Sequence, residues 1–364
     1  MPSECGECFV VLQPFAEDGG VIYGRNSYTA RNEVTEVLYF AASEDSAPKK
    51  YTNVEVDGAP ARAVILNRPA NVGEGADSGA NDKGVVVGLC FTDNEAPDAL
   101  VAIDLVRLGL ERGTSAGEAV DAIGVLVEKY GREGGSEAAK CSFIICDPRE
   151  AWFFSVAGNL WAAEQITEGF RASPRGLNVT TKIDKCSSNL REKAQSLGVW
   201  DGSGEFNFAA AFSSVTESSF PINTPAAEGD FTLTRMFQLL RAEELHQDTV
   251  VSSHVSTLSP TGVSCHWFTA TPNTRESVFK PFVFTSSARI SPLTILDADK
   301  SDHTLLFKYH NARNWAAVGN LLTSLEETCV AEVKDVLATI TDAENHELDD
   351  LMKDCVEAEV KFYR

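Results

Sequence analysis

From Cys8 to about residue 91 the chain is built of short apolar runs separated by Gly, Asn and Asp. The runs at 9–12, 20–23, 36–40, 63–66 and 84–88 are too short for helices and bounded by turn formers, so they predict strands. The period then changes. Leu100, Ile103, Leu105, Val106 and Leu110 recur at mainly helical spacing over 98–112. Thr114 and Ser115 are placed to cap a second helix carrying Val120, Ile123, Leu126, Val127 and Tyr130. A second block of strands is expected at 142–146, 151–156 and 159–163, then helices over 187–198 and 231–245, the latter opened by Thr232. Strand-like runs return at 263–269 and 278–284, and the stretch from 303 to 364 reads as mostly helical and acidic. Strands, two helices, strands, then helices fits an α+β protein with two sheets between helix layers better than a doubly wound parallel sheet. The expected organisation is a domain over 1–290, a polar linker over 291–302 and a helical C-terminal segment over 303–364 that packs on the core or docks a partner.

Composition narrows the function classes. With 364 residues, 43% of them hydrophobic, the chain can bury a sizeable core. The formal net charge of −22 argues against nucleic acid and anionic lipid as partners, since both require a basic face. No apolar run is long enough for a membrane span, and the start shows no secretory signal pattern. The nine cysteines, with no second C-x-x-C at zinc spacing, read as reduced thiols of a cytoplasmic protein without a metal or other cofactor.

The candidate chemistry sits in three segments: Cys5-Gly-Glu-Cys8-Phe9, Gly24-Arg25-Asn26-Ser27-Tyr28 and Gly79-Ala-Asn81. A cysteine opening the first strand of a strand–turn–strand points to an N-terminal nucleophile. Such a residue uses its own α-amino group, of pKa about 7.7–8.0, as the base. The chemistry requires that every residue ahead of the nucleophile be removed. It also requires an oxyanion hole, usually with an Asn side chain, and a nearby Arg–Asp pair. Cys5 and Cys8 are the candidate nucleophiles, Arg25 the candidate cation, and Asn26 and Asn81 candidate substrate-binding amides.

Together with Glu33-Val-Thr-Glu-Val-Leu-Tyr-Phe, Ile103-Asp-Leu-Val-Arg-Leu-Gly-Leu-Glu-Arg, Gly204-Glu-Phe-Asn-Phe and Ser277-Val-Phe-Lys-Pro-Phe, these segments resemble the secernins, over nearly the whole chain. Secernins are a branch of the cysteine dipeptidase family within the N-terminal-nucleophile hydrolases. The resemblance implies an αββα sandwich with a helical C-terminal extension, small peptides as substrates of active members, and a link to regulated exocytosis. Five departures bear on activity. The family's nucleophile stands three residues before the Phe that matches Phe9, which here is Gly6; on a strand Cys8 shares that face and Cys5 points away. Tyr28 and Thr29 stand where the family has an acidic residue and Arg, so Arg25 is expected to lack a local carboxylate. The stretch 71–78 lacks the family's tryptophans. Leu89 stands where an amide is expected near the oxyanion site. Pro174-Arg175-Gly176 replaces Ser-Asn-Gln, leaving Asn178 as a possible catalytic amide. The reading taken from these departures is a catalytically degenerate member that acts by binding a protein partner. The alternative is a cysteine dipeptidase or amidohydrolase that is active once trimmed to Cys5 or Cys8.

Overall fold

The structure, a computed structural model, describes residues 5–28, 34–70, 73–93, 98–135, 137–173, 176–212, 227–245, 250–297, 301–340 and 346–364. Of the positions weighed above, Thr29, Asn71, Val72, Pro174 and Arg175 lie outside these residues.

The strands form two antiparallel groups. The first contains β1 (Cys5–Val11) and β2 (Val21–Tyr28), to which are added three strands from late in the chain, described below. The second runs β3 (Thr35–Phe40), β4 (Val64–Pro69), β5 (Ser78–Asn81), β6 (Val86–Asp93), β7 (Lys140–Cys146), β8 (Ala151–Ala157) and β9 (Leu160–Ile166), each paired with the next. The first group is completed by β10 (Val250–Leu258), β11 (Cys265–Phe268) and β12 (Lys280–Phe282), with β10 joined to β2. The groups touch where Cys5 of β1 pairs with Phe91 of β6.

Alternation along each strand decides what packs where. Cys8, Val10 and Tyr23 of the first group share one apolar cluster with Ile65, Val86, Cys90, Ile144 and Phe153 of the second. The intervening residues of the second group, including Leu66, Val87, Leu89 and Phe143, pack on α1 (Ala102–Arg112) and α2 (Ala116–Tyr130). Those of the first group, including Phe9, Ile22, Val255 and Trp267, meet Met236, Phe237 and Leu240 of α3 (Leu233–Leu240). The expected caps are in place. Ser115 Oγ accepts from the Glu118 amide at 3.2 Å, and Thr232 Oγ1 accepts from the Arg235 amide at 3.2 Å.

The acidic stretch near the C-terminus forms α4 (Leu305–Ala312), α5 (Trp315–Thr339) and α6 (Leu351–Tyr363). Ion pairs bind these helices to the rest. Lys280 of β12 meets Glu359 of α6 at 2.8 Å, both fully buried, and Arg241 forks onto Glu326 of α5 at 2.8 and 2.7 Å. Val333 and Leu348 join the apolar cluster behind the first strand group.

Candidate functional site

Strand pairing assembles the site around Arg25. Cys8 lies opposite Arg25 on β1, and His254 lies opposite it on β10. The Arg25 side chain turns into the interior, where its Nε donates to the Leu89 carbonyl at 2.7 Å. Its terminal nitrogen donates to Asp77 Oδ2 at 2.8 Å and to Ser27 Oγ. Asp77 is therefore the carboxylate partner whose absence the local sequence predicted. It comes from the segment before β5 rather than from position 28, and Asn67 holds its other oxygen at 2.9 Å. Burial alone would lower the Arg25 pKa, but the Asp77 charge outweighs it and keeps the guanidinium charged.

Gly6 explains how the guanidinium fits. A Cβ placed on Gly6 would stand 2.5 Å from Arg25 Nε, 2.6 Å from its Nη2 and 2.7 Å from its Cζ. The cation thus occupies the space that a side chain at position 6 would need. Gly88 allows a second close approach, since a Cβ there would fall 1.8 Å from the Tyr23 hydroxyl.

Cys8 is fully buried beside this pair. Its Sγ lies 3.7 Å from the Leu89 carbonyl and 3.9 Å from the Tyr23 hydroxyl. Burial opposes ionisation, but a hydrogen bond with the Cys90 thiol and the charge of Arg25 bring its pKa below the ordinary thiol value. Cys90 moves well above that value, first through burial and then through Cys8. Cys5 pairs with Tyr28 and Phe91 through its backbone; its side chain lies outside the described residues.

The three asparagines are not gathered here. Asn26 points to the helix side, donating to Leu240 O at 2.9 Å and accepting from Ser253 Oγ at 2.7 Å. Asn81 closes the β5–β6 turn. It donates to Leu110 O and Gly113 O at 2.8 Å and accepts from the Lys83 and Val85 amides at 3.0 Å, which uses its whole amide. Asn178 accepts from Ser155 Oγ at 2.7 Å and donates to Phe143 O at 3.1 Å. At position 89 it is the carbonyl that faces the site, since the Leu89 side chain packs toward α1 and α2. Tyr28 is hydrogen bonded to Glu7 and, at 2.7 Å, to Leu245 O.

Sequence reasoning missed Asp77 and Asn67. The signal for Asp77 was a lone acid at the head of the buried Ser-Gly-Ala-Asn strand. The serines and histidines of β10 and β11 carried no motif.

Chemically, the arrangement is a dry ion pair with an acidified thiol next to it. A buried thiol whose backbone lies inside a strand has no α-amine to serve as its base. No group of three or more His, Cys, Asp or Glu side chains suited to a metal occurs among the described residues. No helix among them is long and apolar enough to cross a membrane.

Among solved structures the chain is similar to penicillin V acylase from Agrobacterium tumefaciens, with 11% identity, a TM-score of 0.42 and coverage of 77% of this chain and 86% of that one. The family model for Peptidase family C69 matches residues 28–244, more than half of the 364, and the chain belongs to that family.

Proposed function

We propose that this member of Peptidase family C69 has the αββα sandwich of the N-terminal-nucleophile hydrolases, does not turn over peptides, and acts by binding a protein partner. The observation that carries the reading is the Arg25 guanidinium in the space of a Gly6 side chain. Position 6 is where the secernin resemblance puts the nucleophile. In an active site of this class that volume holds the attacking atom and borders the substrate. Here it holds a cation clamped by Asp77, Ser27 and the Leu89 carbonyl. The two apolar clusters that back the strand groups with helices, and the one shared between the groups, support the sandwich.

Displacing a clamped guanidinium to admit substrate would break a buried ion pair, which costs about 3–5 kcal/mol. An oxyanion donor is typically worth about 2.7–4 kcal/mol of barrier. None of Asn26, Asn81 and Asn178 hydrogen bonds to Arg25, Cys8 or Asp77, and each is committed elsewhere. The secernin resemblance makes cytoplasmic proteins linked to regulated exocytosis the first candidates to screen as partners.

One observation favours the second reading, a trimmed and active cysteine enzyme: Cys8 lies opposite Arg25 on the paired strand, and the cation's charge lowers the thiol pKa. Exposing Cys8 as a terminus would remove Glu7, and with it the hydrogen bond to Tyr28. It would also strip three residues from β1.

The test is N-terminal sequencing of the natively expressed protein combined with a mass-spectrometric screen of a dipeptide mixture. An N-terminus upstream of Cys5 and no hydrolysis are expected. Hydrolysis by a chain that begins at Cys5 or Cys8 overturns the proposal.

A further inference from the structure

The C-terminal helices carry two of the chain's nine cysteines, Cys329 on α5 and Cys355 on α6. Packing brings them together. Their Sγ atoms are 3.5 Å apart, in a small apolar cluster with Val278, Leu322 and Leu325. Cys355 is buried there, whereas Cys329 keeps part of its surface open to solvent. Each stands about one helical turn from an ion pair that ties its helix to the strands and their flanking residues. Glu326, before Cys329, takes the fork from Arg241, and Glu359, after Cys355, meets Lys280. The two helices that carry the sulfurs are thus both anchored.

The other described cysteines lack this combination. Cys8 and Cys90 also meet through their thiols, but both are fully buried. Cys186 is half-buried, and burial pushes its thiol up. At Cys329 the hydrogen bond with the Cys355 thiol outweighs burial and the carboxylates of Glu332, Glu326 and Glu359, and lowers the pKa. The same contact, followed by burial, raises Cys355 well above the ordinary thiol value. The solvent-accessible sulfur is therefore the one that ionises more readily, with a protonated thiol held against it.

We propose that Cys329 and Cys355 form a peroxide-responsive dithiol whose oxidation closes a disulfide that staples α5 to α6. Ionised Cys329 attacks one oxygen of a hydroperoxide such as hydrogen peroxide. The O–O bond breaks, leaving Cys329 as the sulfenic acid, and the departing hydroxide takes up a proton to become water. The Cys355 sulfur then attacks the Cys329 sulfur, and the S–O bond breaks as hydroxide leaves with the Cys355 proton as a second water. The two thiols give up two electrons and two protons in all, and the peroxide takes both. Closure brings the sulfurs from 3.5 Å to about 2.0 Å. The bridge joins residues 26 apart in sequence, which restricts the unfolded chain and so favours the folded helices. A bridge that forms and is reduced again suits a chain whose cysteines otherwise stay as thiols.

The test adds hydrogen peroxide stepwise to the reduced full chain, blocks the remaining thiols with N-ethylmaleimide, and maps the cysteines by mass spectrometry. Trypsin cuts after Arg313, Lys334, Lys353 and Lys361, so the two cysteines fall on separate peptides. Expected is the loss of both thiols into one linked peptide pair, before Cys8, Cys90, Cys141, Cys146, Cys186 or Cys265 changes, and its release by dithiothreitol. In Cys355→Ser no bridge can form, and Cys329 should stop at the sulfenic acid, which dimedone captures. The urea midpoint of the parent should rise on oxidation, and that of Cys355→Ser should not. Both thiols still free when those other cysteines are oxidised, a bridge that joins two copies of the chain, a dimedone adduct on one of those others ahead of Cys329, or a parent midpoint that oxidation fails to raise each overturns the proposal.

Discussion

Removing the Asp77 carboxylate separates a structural Arg25 from a catalytic one. In Asp77→Asn the guanidinium keeps the Leu89 carbonyl at 2.7 Å and the Ser27 hydroxyl but loses its only ion-pair partner among the described residues. The Arg25 and Asp77 side chains are only 3% and 5% exposed, so water cannot make good the loss. A guanidinium does not escape by releasing its proton. Breaking a buried pair in this way costs about 3–5 kcal/mol, and the two remaining acceptors put the expectation near the lower end, about 3 kcal/mol. Replacing both partners, as in Arg25→Met with Asp77→Leu, removes the stranded charge and should cost less than the sum of the singles by several kcal/mol. The assay is urea unfolding at neutral pH, followed by circular dichroism, for the parent, both singles and the double. A pair kept for catalysis would behave differently, since strained catalytic groups can often be removed at no cost to stability or with a gain. If Asp77→Asn stays within about 0.5 kcal/mol of the parent, the ion pair is not what holds this centre together.

Two more predictions use the same centre and three buried histidines. Gly6→Ala drives a methyl group into Arg25 and should destabilise by about 1–3 kcal/mol; in an Arg25→Ala background the same substitution should be nearly neutral, which a denaturation cycle reads directly. His254, His266 and His310 all have pKa values lowered by burial from the ordinary 6.5, His266 to about 3. The unfolded chain binds those protons first, so stability is full above about pH 6.5 and falls as the pH drops below it, by roughly 1.4 kcal/mol per pH unit for each histidine. Three together should remove several kcal/mol between about pH 6.5 and 5, and His266→Phe should flatten the slope; a melting temperature constant over that range refutes the assignment.

Much of the local structure was legible because periodicity is a local property. The helix expected over 98–112 forms at Ala102–Arg112, and the one after Ser115 runs to Tyr130. The helix expected over 231–245 is shorter, Leu233–Leu240, followed by a single 3-10 turn at Glu243–Leu245. The family was legible from long, unusual segments. The site was legible only in part. Alternation placed position 6 and Cys8 on one face, but that Arg25 lies opposite Cys8 was decided by the pairing of the two strands. The asparagines were chosen by residue type, and type does not say which carbonyl an amide will meet.

The sequence by itself determined many of the strands and helices, two of the helix caps, and that position 6 carries no side chain; it did not show β10 (Val250–Leu258), whose Ser-Ser-His run breaks the apolar pattern. These follow from short-range sterics and from the period of apolar residues. Only the tertiary structure decided what fills the space at Gly6 and what neutralises it. Arg25 and Asp77 are 52 residues apart and belong to different strand groups, so no local pattern links them. Burial then made their pairing obligatory, because a lone charge in that interior would cost more than the fold can spare. The same holds for the hydrogen-bond path from Asp77 through Ser78, His254 and Ser256 to His266. Its Ser78–His254 link joins residues 176 apart in sequence, one from each strand group.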